Sequence, residues 1–403
     1  MIEVLKANVD SFQATIPNLT VSSRPIKIVK GFDKNVIRIR LWTHLISLIY
    51  KRTKNFKSFI SVLKFLISFR NISRGKARFR KIIQIGDRYS WSIFVPPFPS
   101  DKFDKLINVE IDYIVKQKKN FHPLHFIFLS ITKQCPLNCE HCFEWDIMHR
   151  EEHLNLQNLK SIVDQFQKRS ITSLFLTGGE PLSRYQDLLS IIAYASPKSN
   201  VWVLSSGYML DRKKAIELKQ AGLYGVMISV DHYDEVKHNA FRGNDKAFSN
   251  ALEGLAFSRE KGLITAMSIC ITSSFCSKKN LERYMDFARD QHVSFVQFFE
   301  PRQKGRYKDK AVLLNKDEIA IVDSFFHEFN DSKKNTDYPT ILYQGYHQRK
   351  IGCMGAGNRY LYVDSDGMIQ SCPFCNHGMG NALELADEYS IRGQCKTYSN
   401  ALN

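Results

Sequence analysis

Residues 126–143 read FIFLSITKQCPLNCEHCF: an apolar run that ends at Thr132, followed at once by Cys135, Cys139 and Cys142. A short, continuous run of branched and aromatic residues suits a strand buried on both faces. Similar runs follow at Ser173–Thr177, Val201–Ser205, Gly225–Asp231, Ala266–Thr272 and Val293–Glu300. Between them lie helical patterns at Leu156–Lys168, Arg212–Ala221, Ala247–Lys261 and Lys279–Gln291. Repeated β-then-α units with apolar strands imply a parallel sheet with helices outside it, joined by right-handed crossovers. The expected fold is therefore α/β, a partial (β/α)6 barrel of TIM type over residues 121–310. Chemistry in such barrels collects at the carboxyl ends of the strands, where the cysteine loop falls.

Outside that core the chain is uneven. It has 403 residues with Lys+Arg 57 against Asp+Glu 40, a net charge of +17. Residues 1–85 hold 18 of the cations and 3 of the acids, and no acid occurs between Lys34 and Gly86. The 44% hydrophobic content excludes disordered and collagen-like classes. Residues 1–120 are expected to form a basic, largely helical N-terminal extension. Within it, Lys54, Lys57, Ser61, Lys64 and Ser68 make one polar stripe on a helix over Lys54–Arg70, with Phe59, Ile60, Val62, Leu63, Phe65, Leu66, Ile67 and Phe69 covering the rest. That face fits an anionic membrane surface or a greasy anionic substrate, or else packs on the main domain. Ser73–Lys81 adds more cations, but no nucleic-acid motif accompanies them, so nucleic acid is not an expected partner. Val95–Ser100, with three prolines, breaks the chain before a linking helix at about 101–119. No signal-like segment and no membrane-length apolar stretch occurs, which predicts a cytoplasmic protein, peripheral to the inner membrane at most.

The cysteines carry the chemistry. Nine of them in a long chain of this type point to metal or catalysis rather than disulfides. Three thiolates in a Cys-x3-Cys-x2-Cys loop can hold three irons of a [4Fe–4S] cube and leave the fourth open. Zinc is the alternative, but its closed sites take four ligands and His141 is poorly placed to be the fourth. One unit later the second strand ends in Leu176-Thr-Gly-Gly-Glu-Pro-Leu182. Gly178 and Gly179 would let a ligand approach the backbone, and Glu180 can accept hydrogen bonds from an amine.

Over about residues 124–300 these motifs resemble the radical S-adenosylmethionine (radical SAM) superfamily. The resemblance implies that Cys135, Cys139 and Cys142 ligate a [4Fe–4S] cluster whose open iron is chelated by SAM. It also implies that Gly178, Gly179, Glu180 and Pro181 lie around the methionyl amino group. Ser205-Ser206-Gly207 looks like the family's Thr/Ser-Asn-Gly turn, with Ser206 in place of Asn. Ile228-Ser-Val-Asp231, His238 and Phe241-Arg242-Gly243 are similar to the peptide- and sulfatase-modifying branch, making Ser229, Asp231 and Arg242 expected contacts to SAM. His141 stands where the family often has an aromatic residue, so Phe143 is the expected adenine-facing surface.

Residues 311–403 are expected to hold a linker helix and a small Cys-rich hairpin domain. Tyr360–Ser371 reads as a β-hairpin with Asp366-Gly367 at its turn, bringing Cys353 and Cys372 together. With Cys375 and Cys395 these could fully ligate a second cluster, or form a zinc ribbon. The spacing resembles the SPASM and twitch extensions of radical SAM enzymes, which implies one auxiliary [4Fe–4S] cluster. Cys270 reads as a buried inert thiol in preference to a hydrogen donor, Cys276 gets no role, and Glu300–Arg306 is either an anion grip or a solvated loop.

The expected function is reductive cleavage of SAM to a 5′-deoxyadenosyl radical that takes hydrogen from an unactivated carbon. The substrate is lipid-like or a peptide, the latter as in peptide or sulfatase-type maturases. The partner implied is a low-potential reductant, flavodoxin- or ferredoxin-like. A non-catalytic iron–sulfur electron carrier is the non-enzyme alternative.

Overall fold

The computed structural model describes residues 27–29, 31–53, 55–74, 81–116, 123–331, 333–355, 357–374 and 378–385. Lys27–Ile28 (β1) leads into two helices, Gly31–Arg52 (α1) and Phe56–Arg74 (α2). Ile83–Ile85 (β2) and Arg88–Ser90 (β3) then complete an antiparallel three-stranded sheet with β1. Asp101–Lys116 (α3) closes the unit, opening with Asp101 and Asp104 in its first turn, where the helix dipole favours acids. Ile49, Val62 and Ile111, one from each helix and all fully buried, form a small core with Phe59, Leu66 and Ile107. Arg52 clamps Asp112 through two hydrogen bonds of 2.7 and 2.6 Å. Phe59, Val62 and Leu66 of the apolar face expected on residues 54–70 are thus engaged in packing on α3, Ile67 of that face is exposed, and Lys57, Ser61 and Lys64 remain exposed as the polar stripe; Lys54 lies outside the described residues.

The larger body alternates strand and helix. It begins with Phe126–Ser130 (β4), Leu156–Lys168 (α4), Ser173–Thr177 (β5), Tyr185–Ala195 (α5), Asn200–Ser205 (β6) and Arg212–Gln220 (α6). Gly225–Ser229 (β7), Glu235–Arg242 (α7), Ala247–Glu260 (α8), Ile264–Cys270 (β8), Lys278–Asp290 (α9) and Phe295–Phe299 (β9) follow. The six strands are parallel neighbours in sequence order, with Phe126 opposite Ser173 and Ser229 opposite Ser268. Asn155, Asp211, Asp234 and Ser277 each accept a backbone N–H of the helix they begin, the local chemistry that stops a strand-exit loop and starts a helix.

Alternation along the strands divides the interior in two. Leu129, Leu176, Val203, Ile228, Ile269 and Phe298 pack outward against the helices in the main core. Phe126, Phe175, Trp202, Met227, Ala266 and Phe295 fill the concave side, and Ile83 and Ile93 of the N-terminal unit join them. Fully burying each large side chain of this kind is worth about 1.5–3 kcal/mol.

The parallel sheet is larger than the six units expected. After Lys316–Asp331 (α10), Thr340–Tyr343 (β10) adds parallel to β9. After Gln344–Ile351 (α11), Tyr360–Val363 (β11) adds parallel to β4 on the opposite side. Met368–Gln370 (β12) and Gly378–Asn381 (β13) continue that edge antiparallel. Among the described strands, eight are therefore parallel, and β10 and β11 are not paired with each other, leaving a partial barrel. Both added strands are only four residues long, and their partners lie far away in the chain, so local pattern does not reveal where they dock.

Candidate active site at the carboxyl ends of the strands

The loop after β4 carries Cys135, Cys139 and Cys142, all free thiols, in a small apolar group with Leu137, Ala247 and Tyr208. Its backbone is held on three sides. The Gly-Gly-Glu turn after β5 donates from Gly179 N to Thr132 O and from Glu180 N to Gln134 O, both 2.8 Å. The Phe241–Gly243 turn accepts from Asn138 N and Glu140 N at 3.1 and 2.9 Å. Arg306 N donates to Cys142 O at 3.0 Å, and its guanidinium reaches Asn138 O at 2.9 Å while stacking on Trp145.

The two glycines are required by the cysteine loop itself. Gly178 has φ +146°, and a Cβ there would lie 2.6 Å from Thr132 O. Close approach of the cysteine loop's own backbone requires glycine, whatever ligand lies beyond. Glu180 is also fully employed. One carboxylate oxygen accepts from Leu182 N at 3.1 Å and Ser205 Oγ at 2.7 Å; the other accepts from Ser206 N and Oγ at 2.8 and 2.5 Å. Burial pushes its pKa up, against these four bonds. Glu180 therefore fixes the Ser205–Gly207 turn against the Gly-Gly-Glu turn.

Asp231 and Arg242, both buried, form an ion pair at 2.5 Å. Burial alone would raise the Asp231 carboxyl; the Arg242 guanidinium, His141, His238 and the Cys270 N–H together outweigh it and hold the group below its ordinary value. Asp231 also accepts Cys270 N at 2.9 Å, and its own N–H donates to His238 Nδ1 at 3.1 Å. Arg242 Nη1 lies 3.6 Å from Cys139 Sγ, the position of a cation beside a thiolate ligand. Ser229 receives Ser268 Oγ at 3.2 Å across the inner face. His141 stacks on Phe241 at 4.7 Å, whereas Phe143 meets Tyr362 and Phe374 edge-on, at the contact with the C-terminal hairpin. Cys270 is buried at the end of β8.

Several residues that no motif marked tie the cysteine loop to that hairpin. The fully buried Lys133 ammonium donates to Asp366 in the hairpin turn at 2.5 Å and to Glu151 O at 2.7 Å. Tyr362 donates to Glu144, whose carboxyl burial pushes up to about 7. Lys304 donates to Pro373 O at 2.6 Å, next to Cys372. The charges after β9 are accordingly structural: Glu300 accepts from Tyr343 at 2.6 Å and pairs with Arg349 and Arg302. The hairpin itself forms as expected, with Val363 opposite Ile369 and Gly367 at φ +81°. A Cβ on Gly355 would lie 2.9 Å from Ser371 O, so the loops bearing Cys353 and Cys372 touch. Cys375 and Cys395 lie outside the described residues.

The donor set fits an iron–sulfur cube. Burial pushes the Cys135 and Cys142 thiols up to about 12, so they would ionise only on a metal. Among the described residues no three His, Cys, Asp or Glu side chains close on a single-ion site; the three thiolates of a cube each bind a different iron and stand apart.

Residues 129–287 match the Radical SAM superfamily model. Residues 129–287 are thus a radical SAM domain. An AdoMet-dependent heme synthase of Nitratidesulfovibrio vulgaris is 28% identical over 62% of this chain and 74% of its own. A GTP 3',8-cyclase of Aliarcobacter butzleri is 27% identical over 54% of this chain and 68% of its own. In fold, the chain is similar to Streptococcus suis SuiB bound to precursor peptide SuiA, with TM-score 0.57 and 13% identity over 85% of this chain and 80% of that one. It is also similar to anSMEcpe with bound AdoMet and Cp18Cys peptide, with TM-score 0.52 and 16% identity over 65% and 78%. This radical SAM protein is an enzyme, and the superfamily's cofactors are a [4Fe–4S] cluster and SAM.

Proposed function

We propose that Cys135, Cys139 and Cys142 hold the SAM-binding cluster and that the product radical abstracts hydrogen from a carbon of a polypeptide substrate. The observation that carries the assignment is the three-sided bracing of one three-thiol loop, with the Arg242 guanidinium beside Cys139. The cluster, when bound, supplies the electron that cleaves SAM to the 5′-deoxyadenosyl radical. The chain's own residues then do three things. Gly178–Pro181 and the Ser205–Gly207 turn, locked together by Glu180, form the surface beside the cysteine loop that would hold SAM's methionyl end. Asp231, Arg242 and Ser229 line the other side of that surface. The aromatic floor of Phe126, Phe175 and Trp202 keeps water from below.

Cys353, Cys372, Cys375 and Cys395 are proposed to hold one auxiliary [4Fe–4S] cluster, supported by the contact of the Cys353 and Cys372 loops. Tyr362, Lys133 and Lys304 set its distance from the first. A peptide substrate is supported by the fold's likeness to SuiB with SuiA bound, over most of the chain. A flavodoxin- or ferredoxin-like reductant is supported by the chain's charge of +17, which complements such acidic carriers. A second reading, a lipid-like substrate met at an anionic membrane, is favoured by the exposed apolar face of α1.

The test is anaerobic incubation of reconstituted protein with SAM and dithionite. 5′-Deoxyadenosine should form, and Cys139→Ala should abolish it. A polypeptide fraction of cell extract should raise the yield, and protease treatment of that fraction should remove the effect; stimulation by the lipid extract instead would replace the peptide reading with the second.

A further inference from the structure

The longest helix among the described residues, α1, keeps an apolar stripe turned away from the protein. On α1, Phe32, Val36, Ile39, Ile46 and Tyr50 are exposed by 78, 46, 64, 43 and 76%. Their spacing, with exposed Thr43 filling the one gap, alternates four and three residues, which places them all on one side of a helix. The stripe runs about 27 Å, nearly the whole helix. The opposite side, with Ile37 and Ile49 buried, is the one packed on the protein. Large apolar side chains scattered singly on a surface need no explanation, but five aligned along one side of a helix do.

The surroundings say what chemistry covers it. Exposed Arg40 and Lys51 lie on the flank of the stripe, and exposed Lys57 and Lys64 on the adjoining helix α2. Both helices pack on α3 in one cluster that joins Ile49, Val62 and Ile111, so the cations of α2 lie on the helix next to the one that carries the stripe. Residues 31–74 contain ten Lys/Arg and one Asp. An apolar row bordered by cations complements an anionic bilayer surface, where the row enters the headgroup–acyl boundary and the cations meet lipid phosphates. A second copy of this chain on the same face would bring like charges together across a two-fold axis. Residues 1–26 carry two acids and two bases and supply no counter-charge.

We propose that the outward face of α1, Phe32, Val36, Ile39, Ile46 and Tyr50 with Arg40 and Lys51, docks this enzyme on an anionic membrane surface. The face differs from the one the sequence pattern picks out, because the apolar side of α2 is used on α3. The proposal gives the second reading above its surface, yet it stands apart from the substrate: an enzyme docked this way could still act on a peptide.

The experiment is co-sedimentation of full-length holoprotein with vesicles of phosphatidylcholine mixed with phosphatidylglycerol, and with phosphatidylcholine alone. Wild type should bind the mixed vesicles, release with added salt, and leave the neutral ones. Ile39→Glu/Ile46→Glu should lower binding at least about tenfold, with an unchanged melting midpoint and unchanged 5′-deoxyadenosine formation in solution. Ile39→Ser/Ile46→Ser should weaken binding in the same direction without adding charge. Failure of wild type to bind, equal binding to neutral vesicles, or full binding by both variants would overturn the proposal. So would a vesicle-free dimer that either variant dissolves, since a second copy would then be the occupant. Vesicle binding that vanishes in the variants while lipid extract leaves 5′-deoxyadenosine unchanged would keep the docking face and remove only the lipid substrate.

Discussion

Replacing Arg242 by Met tests the electrostatic centre of the site. Asp231 is 6% exposed and pairs with the Arg242 guanidinium at 2.5 Å. Removing one member of a buried pair leaves the other charge uncompensated, at about 3–5 kcal/mol. For a cooperative unit of this size each kcal/mol is about 2–4 °C, so the midpoint should fall by roughly 6–20 °C. The Asp231→Asn/Arg242→Met double variant removes the stranded charge and keeps an acceptor for Cys270 N–H; it should recover half or more of the loss. Anaerobic thermal melts of the metal-free chain, followed by circular dichroism for wild type, both singles and the double, close the cycle. A single variant melting within about 2 °C of wild type, or a double as unstable as the sum of the singles, would show that the pair does not govern this part of the barrel.

Other consequences follow from the same geometry. His238 is buried, and burial, with Arg242 adding, pulls its pKa down to about 4. Its folded value lies below the unfolded one, so its contribution is complete above about pH 6.5 and is lost as pH falls towards 4. His238→Gln should therefore flatten the fall of stability across that window by up to about 1.4 kcal/mol per pH unit, measured by urea melts. Ser206→Ala removes one of four donors to Glu180 and should loosen SAM binding about 3- to 10-fold in equilibrium dialysis. Lys133→Met unties the hairpin turn from the cysteine loop, and amide exchange at residues 364–368 should speed up by about fivefold to tenfold. Cys353→Ala/Cys372→Ala should cost about four irons per chain on metal analysis if these residues belong to a second cube.

Much of this was legible locally. The six core strands and the helices at 156–168, 212–220, 247–260 and 278–290 follow from runs of neighbouring residues, and so does the hairpin at 360–370. The helices at 185–195 and 235–242 escaped notice, the first because its pattern is apolar nearly all round and the second because it has only eight residues. The cysteine triad and the Gly-Gly-Glu turn could be read because their chemistry lies in adjacent residues.

The chain alone thus carried the radical SAM motifs and the order of the barrel units, since each depends on spacing within a few residues. Tertiary structure decided what depends on distant partners. Glycine is needed at 178 because Thr132 comes to it, and Glu180 is committed to the serines of another strand. The C-terminal segment extends both edges of the sheet, and Lys133 joins residues 233 positions apart. The helical pattern at 54–70 left open whether its apolar side packs on the protein, and only the fold shows α3 taking up part of it while α1 keeps an exposed row. Period and composition state that a face must be buried, but only the packed chain fixes against what.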